Sequence, residues 1–204
     1  MITYEQVKRL WAGSSPEIQM FTHWLYGFKP VLNRVVEIGV SSGASASVWQ
    51  QFLAPDGIYV GVDIDLYDPS QGLFSPMKKT VERFKNDSRM KFLIGDSRLL
   101  ITLDKVKDLL GNRKVDFLFI DGEHSLEGAK RDYGIYSPLV ADDGGIIVFH
   151  DATRNGNVRR AIESIIKVYD LRYNELGFEY ICQFDSRVGQ CGIFVMVKRI
   201  KEKK

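Results

Sequence analysis

Arg34-Val35-Val36-Glu37-Ile38 is an apolar strand that runs straight into the glycine-punctuated turn Gly39-Val40-Ser41-Ser42-Gly43. A second apolar run, Ile58-Tyr59-Val60-Gly61-Val62, follows and ends on Asp63. Strand, small-residue turn, helix, strand and terminal acid together make a βαβ unit of the kind that holds a nucleoside. Gly39 and Gly43 allow the backbone to turn sharply and come close to a ligand, where a Cβ would collide. The helix that starts near Gly43 aims unpaired N–H groups at that ligand. A carboxylate at the end of the second strand can accept hydrogen bonds from both hydroxyls of a ribose.

The spacing is not that of a dinucleotide site. Glu37-x-Gly39-x-x-x-Gly43 carries an acid on the strand and two glycines, whereas a pyrophosphate calls for Gly-x-Gly-x-x-Gly. An acid here would repel a pyrophosphate and suits a cationic ligand. In this form the segment resembles the first motif of the class I S-adenosylmethionine-dependent methyltransferases, whose cofactor is a sulfonium with a free amino group. The resemblance implies that Glu37, Gly39, Ser41 and Gly43 belong to the cofactor turn and that Asp63 takes the ribose.

The rest of the chain alternates in the same way. Strands are expected at 34–38, 58–62, 91–94, 115–120 and 146–149, with helices over 43–53, 75–86, 98–110, 125–137 and 157–169. Val115 to Ile120 is nearly all apolar, as a strand buried on both faces should be. Phe178–Phe184 and Cys191–Lys198 are then joined by a short polar link containing Gly189, which reads as a hairpin. Parallel strands with helical crossovers followed by an antiparallel pair give an open mixed α/β sheet. The expected fold is Rossmann-like, with helices on both faces. The methyltransferase resemblance adds a sheet of seven strands whose last is inserted antiparallel, and it covers residues 34–199.

At 204 residues the chain is expected to be one domain, 1–204, with a helical extension over 1–33. In that extension Ser14 and Glu17 have capping-box spacing with Pro16 between them, and Ile18, Phe21, Leu25 and Phe28 recur at helical intervals. The plain reading is a helix packed on the sheet edge; a substrate lid or dimer contact is the alternative. Lys+Arg 28 against Asp+Glu 26 leaves +2, with no basic stripe interleaved with aromatics, so no nucleic-acid partner is expected. No apolar run is long enough to span a bilayer and no export signal is visible, so neither a membrane nor an oxidising compartment is expected. A cytoplasmic protein with Cys182 and Cys191 as reduced thiols follows. A homo-oligomer is compatible with the sequence.

Ligands of such a sheet bind outside the carboxyl ends of the strands, and polar groups follow every expected parallel strand. They are Glu37 and the glycine turn, Asp63 with Asp65, Gly95-Asp96-Ser97, Asp121-Gly122-Glu123-His124, and His150-Asp151. Asp63 could instead cap a turn, Asp65 reads as a turn residue, and Ser97 could be the N-cap of the next helix. Where related methyltransferases contact the adenine edge, this chain has Asp96 and Ser97.

Phe119-Ile120-Asp121-Gly122-Glu123-His124-Ser125 and Gly144-Gly145-Ile146-Ile147-Val148-Phe149-His150-Asp151 resemble a subgroup of small-molecule O-methyltransferases related to the metal-assisted catechol and sugar enzymes. By position, the resemblance implies a divalent metal such as Mg²⁺ or Mn²⁺ on Asp121, His150 and Asp151, with Asp121 also beside the cofactor. The relatives supply oxygen ligands at both positions after strand five, and His150 departs from that pattern. His124, Glu123 and His150 are each candidates for the base that takes a hydroxyl proton. Without a metal, Asp121 and Asp151 would cap their loops.

The functional expectation is O-methylation of a small molecule or sugar. The alternatives are a non-catalytic S-adenosylmethionine-binding protein and a nicotinamide-dependent oxidoreductase, against which Glu37 and the missing third glycine argue. Acceptor walls are expected at Tyr67–Phe74 and residues 152–157, with Arg154 as an anion contact.

Overall fold

The computed structural model describes residues 4–10, 16–65, 76–153, 156–170, 178–184 and 192–198. Its strands are β1 (Leu32–Ile38), β2 (Leu53–Asp63), β3 (Met90–Ile94), β4 (Phe117–Ile120), β5 (Gly145–Phe149), β6 (Phe178–Phe184) and β7 (Ile193–Lys198). They form one sheet in the order β3-β2-β1-β4-β5-β7-β6. Pairing is parallel from β3 to β5, while β7 runs antiparallel to both β5 and β6. The helices are α1 (Tyr4–Leu10), α2 (Pro16–Phe28), α3 (Ala44–Trp49), α4 (Pro76–Phe84), α5 (Leu100–Leu109), α6 (Leu126–Tyr136) and α7 (Gly156–Asp170).

Successive residues of the central strands point to opposite faces, and both faces are covered. Val35, Phe117, Phe119, Ile146 and Val148 meet Ile18, Phe21 and Leu25 of α2, Trp49 of α3 and Met77 of α4 in one core. Val36, Leu118, Ile120, Ile147 and Phe149 meet Val106 of α5, Tyr136 of α6 and Ile162 of α7 in the other. Phe21 stacks on Phe117 and meets Trp49 edge-on. So α2 is a core helix and not a lid, but it packs on the face of the sheet against the central strand β4 instead of at the sheet edge where the plain reading put it. No helix among the described residues is long and apolar enough to cross a membrane.

Most boundaries shift by one or two residues from expectation, and three of the differences are instructive. β2 begins at Leu53 instead of Ile58, because β1 begins at Leu32 and offers Leu53 a partner; a register shift between Leu32 and Arg34 absorbs the Pro55-Asp56-Gly57 irregularity. On its other flank β2 meets β3 only from Tyr59 onward, and a strand segment with one open side tolerates a proline. The helix expected over 43–53 is α-helical only to Trp49 and tightens into a 3₁₀ turn over Gln50–Phe52. β4 begins at Phe117, although the Asp116 N–H still donates to Arg34 O and its carbonyl accepts from the Ile146 N–H, both at 2.9 Å. The Asp116 carboxylate accepts from the amides of Asn33 at 2.6 Å and Arg34 at 2.9 Å and pairs with Lys29 at 3.3 Å. Of the cysteines, Cys182 stands opposite Val195 in the β6–β7 register, and Cys191 lies outside the described residues, as do Ser14, Ser75, Tyr67–Phe74 and Arg154.

Candidate active site

The sheet order reverses between β1 and β4, and a ligand crevice is expected at that reversal. The ladder continues one residue beyond each strand: Gly39 N–H donates to Val62 O, Asp121 N–H to Ile38 O and His150 N–H to Ile120 O, at 2.8 to 3.0 Å. The turn after β1, the acid after β4 and the histidine after β5 are therefore set side by side by backbone alone. Gly39 has φ +87, and a Cβ there would fall 2.0 Å from the carbonyl oxygen of Asp121. No other residue fits. A cleft of about 760 Å³ opens along this edge, lined by Gly39, Ser41, Asp63, Ser97, Asp121 and His150 among others. That volume suits a nucleoside-sized ligand.

Glu37 does not reach the cleft. Its side chain is fully buried beneath the turn, where the Tyr59 hydroxyl donates to one oxygen at 2.6 Å and Ser45 Oγ bonds the other. Burial outweighs both hydrogen bonds and pushes its carboxyl up to about 8. It meets the cleft only through Ser45, whose hydroxyl it holds and which does line the cleft.

Asp63 lines the cleft and also fastens the turn. Its Oδ2 accepts from the amides of Val40 and Ser41, and its Oδ1 from that of Asp65, each at 2.8 Å. A carboxylate has about four acceptor positions, so one is left for a ligand hydroxyl, not the two expected. Asp65, at φ +49, is the turn residue the sequence suggests. Thr80 of α4 holds the turn from the other side by donating to Ser41 O at 2.9 Å.

After β3, Asp96 is closed off by Arg98, whose side chain and amide donate to both carboxylate oxygens at 2.7 to 3.0 Å. That charge-assisted grip lowers the Asp96 pKa. Ser97 is not the N-cap of α5, a position Leu99 occupies. Its hydroxyl instead donates to Asp132 Oδ1 at 2.7 Å, and its carbonyl accepts from the Tyr136 hydroxyl at 3.1 Å. Asp132 and Tyr136 escaped the sequence reading. The available signal was an acid on the stripe of α6 that also carries Ala129 and Tyr136.

After β4 and β5 the expected metal-competent residues come together. Donor atoms of Asp121, His150 and Asp151 lie within 4.8 Å of one another. His150 Nδ1 is 3.1 Å from Asp121 Oδ1 and 3.7 Å from Asp151 Oδ1. Asp151 is nearly buried and sits at φ +54, the kind of backbone conformation held only where surroundings enforce it. His124 joins the group, with Nε2 3.0 Å from Asp121 Oδ1 and Nδ1 3.4 Å from Asp151 Oδ2. The hydrogen bond to Asp121 outweighs partial burial and raises its pKa, and the Asp121 and Asp151 charges add to that shift. Burial raises Asp121, but hydrogen bonds from the two histidines outweigh it and the net shift is downward. Glu123 stands apart: it is half-exposed, accepts from Ser125 Oγ at 2.5 Å and faces Arg98 at 3.5 Å.

Sheet order and cleft define a Rossmann-like α/β domain with a crevice at its switch point. A family model described as a methyltransferase domain matches residues 36–152, more than half of the chain, and the chain belongs to that family. No curated protein matches the sequence. Solved structures share the fold at low identity. The O-methyltransferase TomG of Streptomyces achromogenes, in complex with S-adenosylmethionine, is 16% identical with TM-score 0.64 over 95% of this chain and 86% of that one. An O-methyltransferase from Bacillus cereus, in complex with S-adenosylhomocysteine, is 19% identical with TM-score 0.61 over 95% and 90%. Fibrillarin of Aeropyrum pernix, with natively bound S-adenosylmethionine, is 18% identical with TM-score 0.56 over 88% and 74%.

Proposed function

We propose that this methyltransferase carries the methyl group of S-adenosylmethionine to a hydroxyl oxygen of a small molecule or sugar, at the junction of β1, β4 and β5. The observation that carries the reading is the cluster of Asp121, His124, His150 and Asp151 beside the glycine turn. An in-line displacement forms the oxygen–methyl bond as the sulfur–methyl bond breaks, its electron pair returning to sulfur. The hydroxyl proton must leave to a base. The neutral imidazole of His124 can take it at Nδ1 while Nε2–H donates to Asp121, and the Asp121 and Asp151 carboxylates stabilise the imidazolium that results. Glu123, turned toward Arg98 and Ser125, is the weaker base.

The donor set fits a divalent ion. Two carboxylates and an imidazole converge, and Asp151 Oδ1 is buried with no hydrogen-bond partner among the described residues. Asp121, His150 and Asp151 would hold the ion, and the nitrogen donor favours Mn²⁺ or Zn²⁺ over Mg²⁺. Bound there, it would supply Lewis acidity toward the acceptor oxygen. The test is methyl transfer from labelled S-adenosylmethionine to a panel of hydroxylated small molecules and sugars, after chelation and with each metal returned separately. Turnover restored best by Mn²⁺, and lost in Asp121→Asn, is expected. Full activity in chelator removes the metal; labelling of amines in preference to hydroxyls removes the oxygen assignment.

A further inference from the structure

Asp132 is a buried ionisable group that the methyl-transfer chemistry leaves unused. It sits on α6, 1% exposed, and lines the cleft beside the turn after β3. Its Oδ1 takes the Ser97 hydroxyl at 2.7 Å, and its Oδ2 has no hydrogen-bond partner among the described residues. That second oxygen lies where a Cβ on Gly122 would approach to 2.9 Å. One turn along α6, the Tyr136 hydroxyl holds the Ser97 carbonyl. Helix α6 thus grips Ser97 at both its hydroxyl and its carbonyl.

We propose that Asp132 is a positioning residue that sets the base selectivity of the cofactor site, by fixing the Ser97 hydroxyl as a hydrogen-bond acceptor toward the cleft. This rests on the reading that the cleft takes an S-adenosyl ligand with its base at the β3 turn. A carboxylate has no proton to give, so the Ser97 hydroxyl must spend its single hydrogen on Asp132. Burial, with Glu123 and Asp96 nearby, pushes Asp132 up to about 6, which still leaves it ionised at pH 8. The Ser97 oxygen then meets the ligand with lone pairs alone. An exocyclic amine, as on adenine, donates to it; a keto oxygen at the same place, as on hypoxanthine, sets acceptor against acceptor. Asp96 is saturated by Arg98, and the Ser97 carbonyl already accepts from Tyr136, so the hydroxyl oxygen is the side-chain acceptor this turn keeps for a ligand. A site whose polarity is fixed rejects the mismatched analogue more strongly than one whose hydroxyl can turn.

The experiment is calorimetric titration at pH 8 of S-adenosyl-L-homocysteine and S-inosyl-L-homocysteine into wild type, Asp132→Ala, Ser97→Ala and the double variant. Wild type is expected to prefer the adenosyl ligand about tenfold or more, the scale of one satisfied against one frustrated hydrogen bond. In Asp132→Ala the preference falls to about threefold or less, and in the Ser97→Ala background the Asp132 change has no further effect on it. If Asp132→Ala does not fold, Asp132→Asn keeps the shape while its amide can present either face to Ser97, and the same loss of preference is expected. A wild-type preference retained in the Asp132 variants, or an equal further loss in the Ser97→Ala background, overturns the inference. Equal affinity of wild type for both ligands also overturns it, and leaves the cofactor reading standing. Failure of wild type to bind either one sinks the cofactor reading itself.

Discussion

A carboxyl group sealed from water and bonded only to hydroxyls is more stable neutral than charged. Glu37 is in that position, with Ser45 and Tyr59 on its two oxygens. Its folded value of about 8 lies above the ordinary 4.5, so the folded state holds a proton that the unfolded state releases. The resulting stability is full below about 4.5 and is lost as pH rises through about 8. Urea unfolding at pH 5 and pH 8.5 should show wild type losing a few kcal/mol across the window, at roughly 1.4 kcal/mol per pKa unit, and Glu37→Gln losing clearly less. Equal slopes would show that Glu37 is ionised in the fold. Asp63 poses the opposite case, a carboxylate satisfied by three amides with one position to spare. Asp63→Ala should weaken S-adenosylhomocysteine binding by about 1.5–3 kcal/mol through the lost ligand bond, and also lower the melting temperature because the turn comes loose. Calorimetry and a thermal melt on the same samples separate the two effects; affinity unchanged in a folded variant removes Asp63 from the site.

Among the elements, the glycine turn has the least latitude. Gly39→Ala places a methyl group inside the Asp121 carbonyl, 2.0 Å away at φ +87, so β1 and β4 would have to part. Loss of soluble folded protein, or a melting temperature lower by about 10 °C if it folds, is expected; at about 2–4 °C per kcal/mol for a chain this size, that is a fall of about 3–5 kcal/mol. A variant with native stability would mean that the turn adopts another path. The alternation of strands and helices was legible because parallel strands buried on both faces leave apolar runs between polar stretches, and the terminal hairpin because its link is short. β2 was cut short because Pro55 and Gly57 are local breakers, and the partner that overrides them, Leu32, is supplied by another strand. Of the site, Asp63, Asp121 and His150 were legible because each ends an apolar run. Tyr59, Asp132 and Tyr136 were not: each acts by reaching an element remote in sequence, 22 residues away for Tyr59 with Glu37 and 35 for Ser97 with Asp132.

At the scale of the whole molecule, the site is a meeting of two halves of the chain. The turn after β1 and the acid after β2 come from the first half, and Asp121, His150 and Asp151 from the second. The register that joins them sets Val35 beside Phe117 and Ile38 beside Ile120. On a ribosome, β1, β2 and β3 emerge well before β4 exists. Until β4 arrives, Val35 to Ile38 present an unpaired apolar strand edge, the kind of surface that recruits other chains. The same late pairing that brings Asp121 to the glycine turn closes that edge. In a nascent polypeptide of this sequence the release and docking of the segment around Phe117–Ile120 therefore covers an adhesive edge and begins the second half of the ligand site, which His150 and Asp151 complete once β5 pairs with β4.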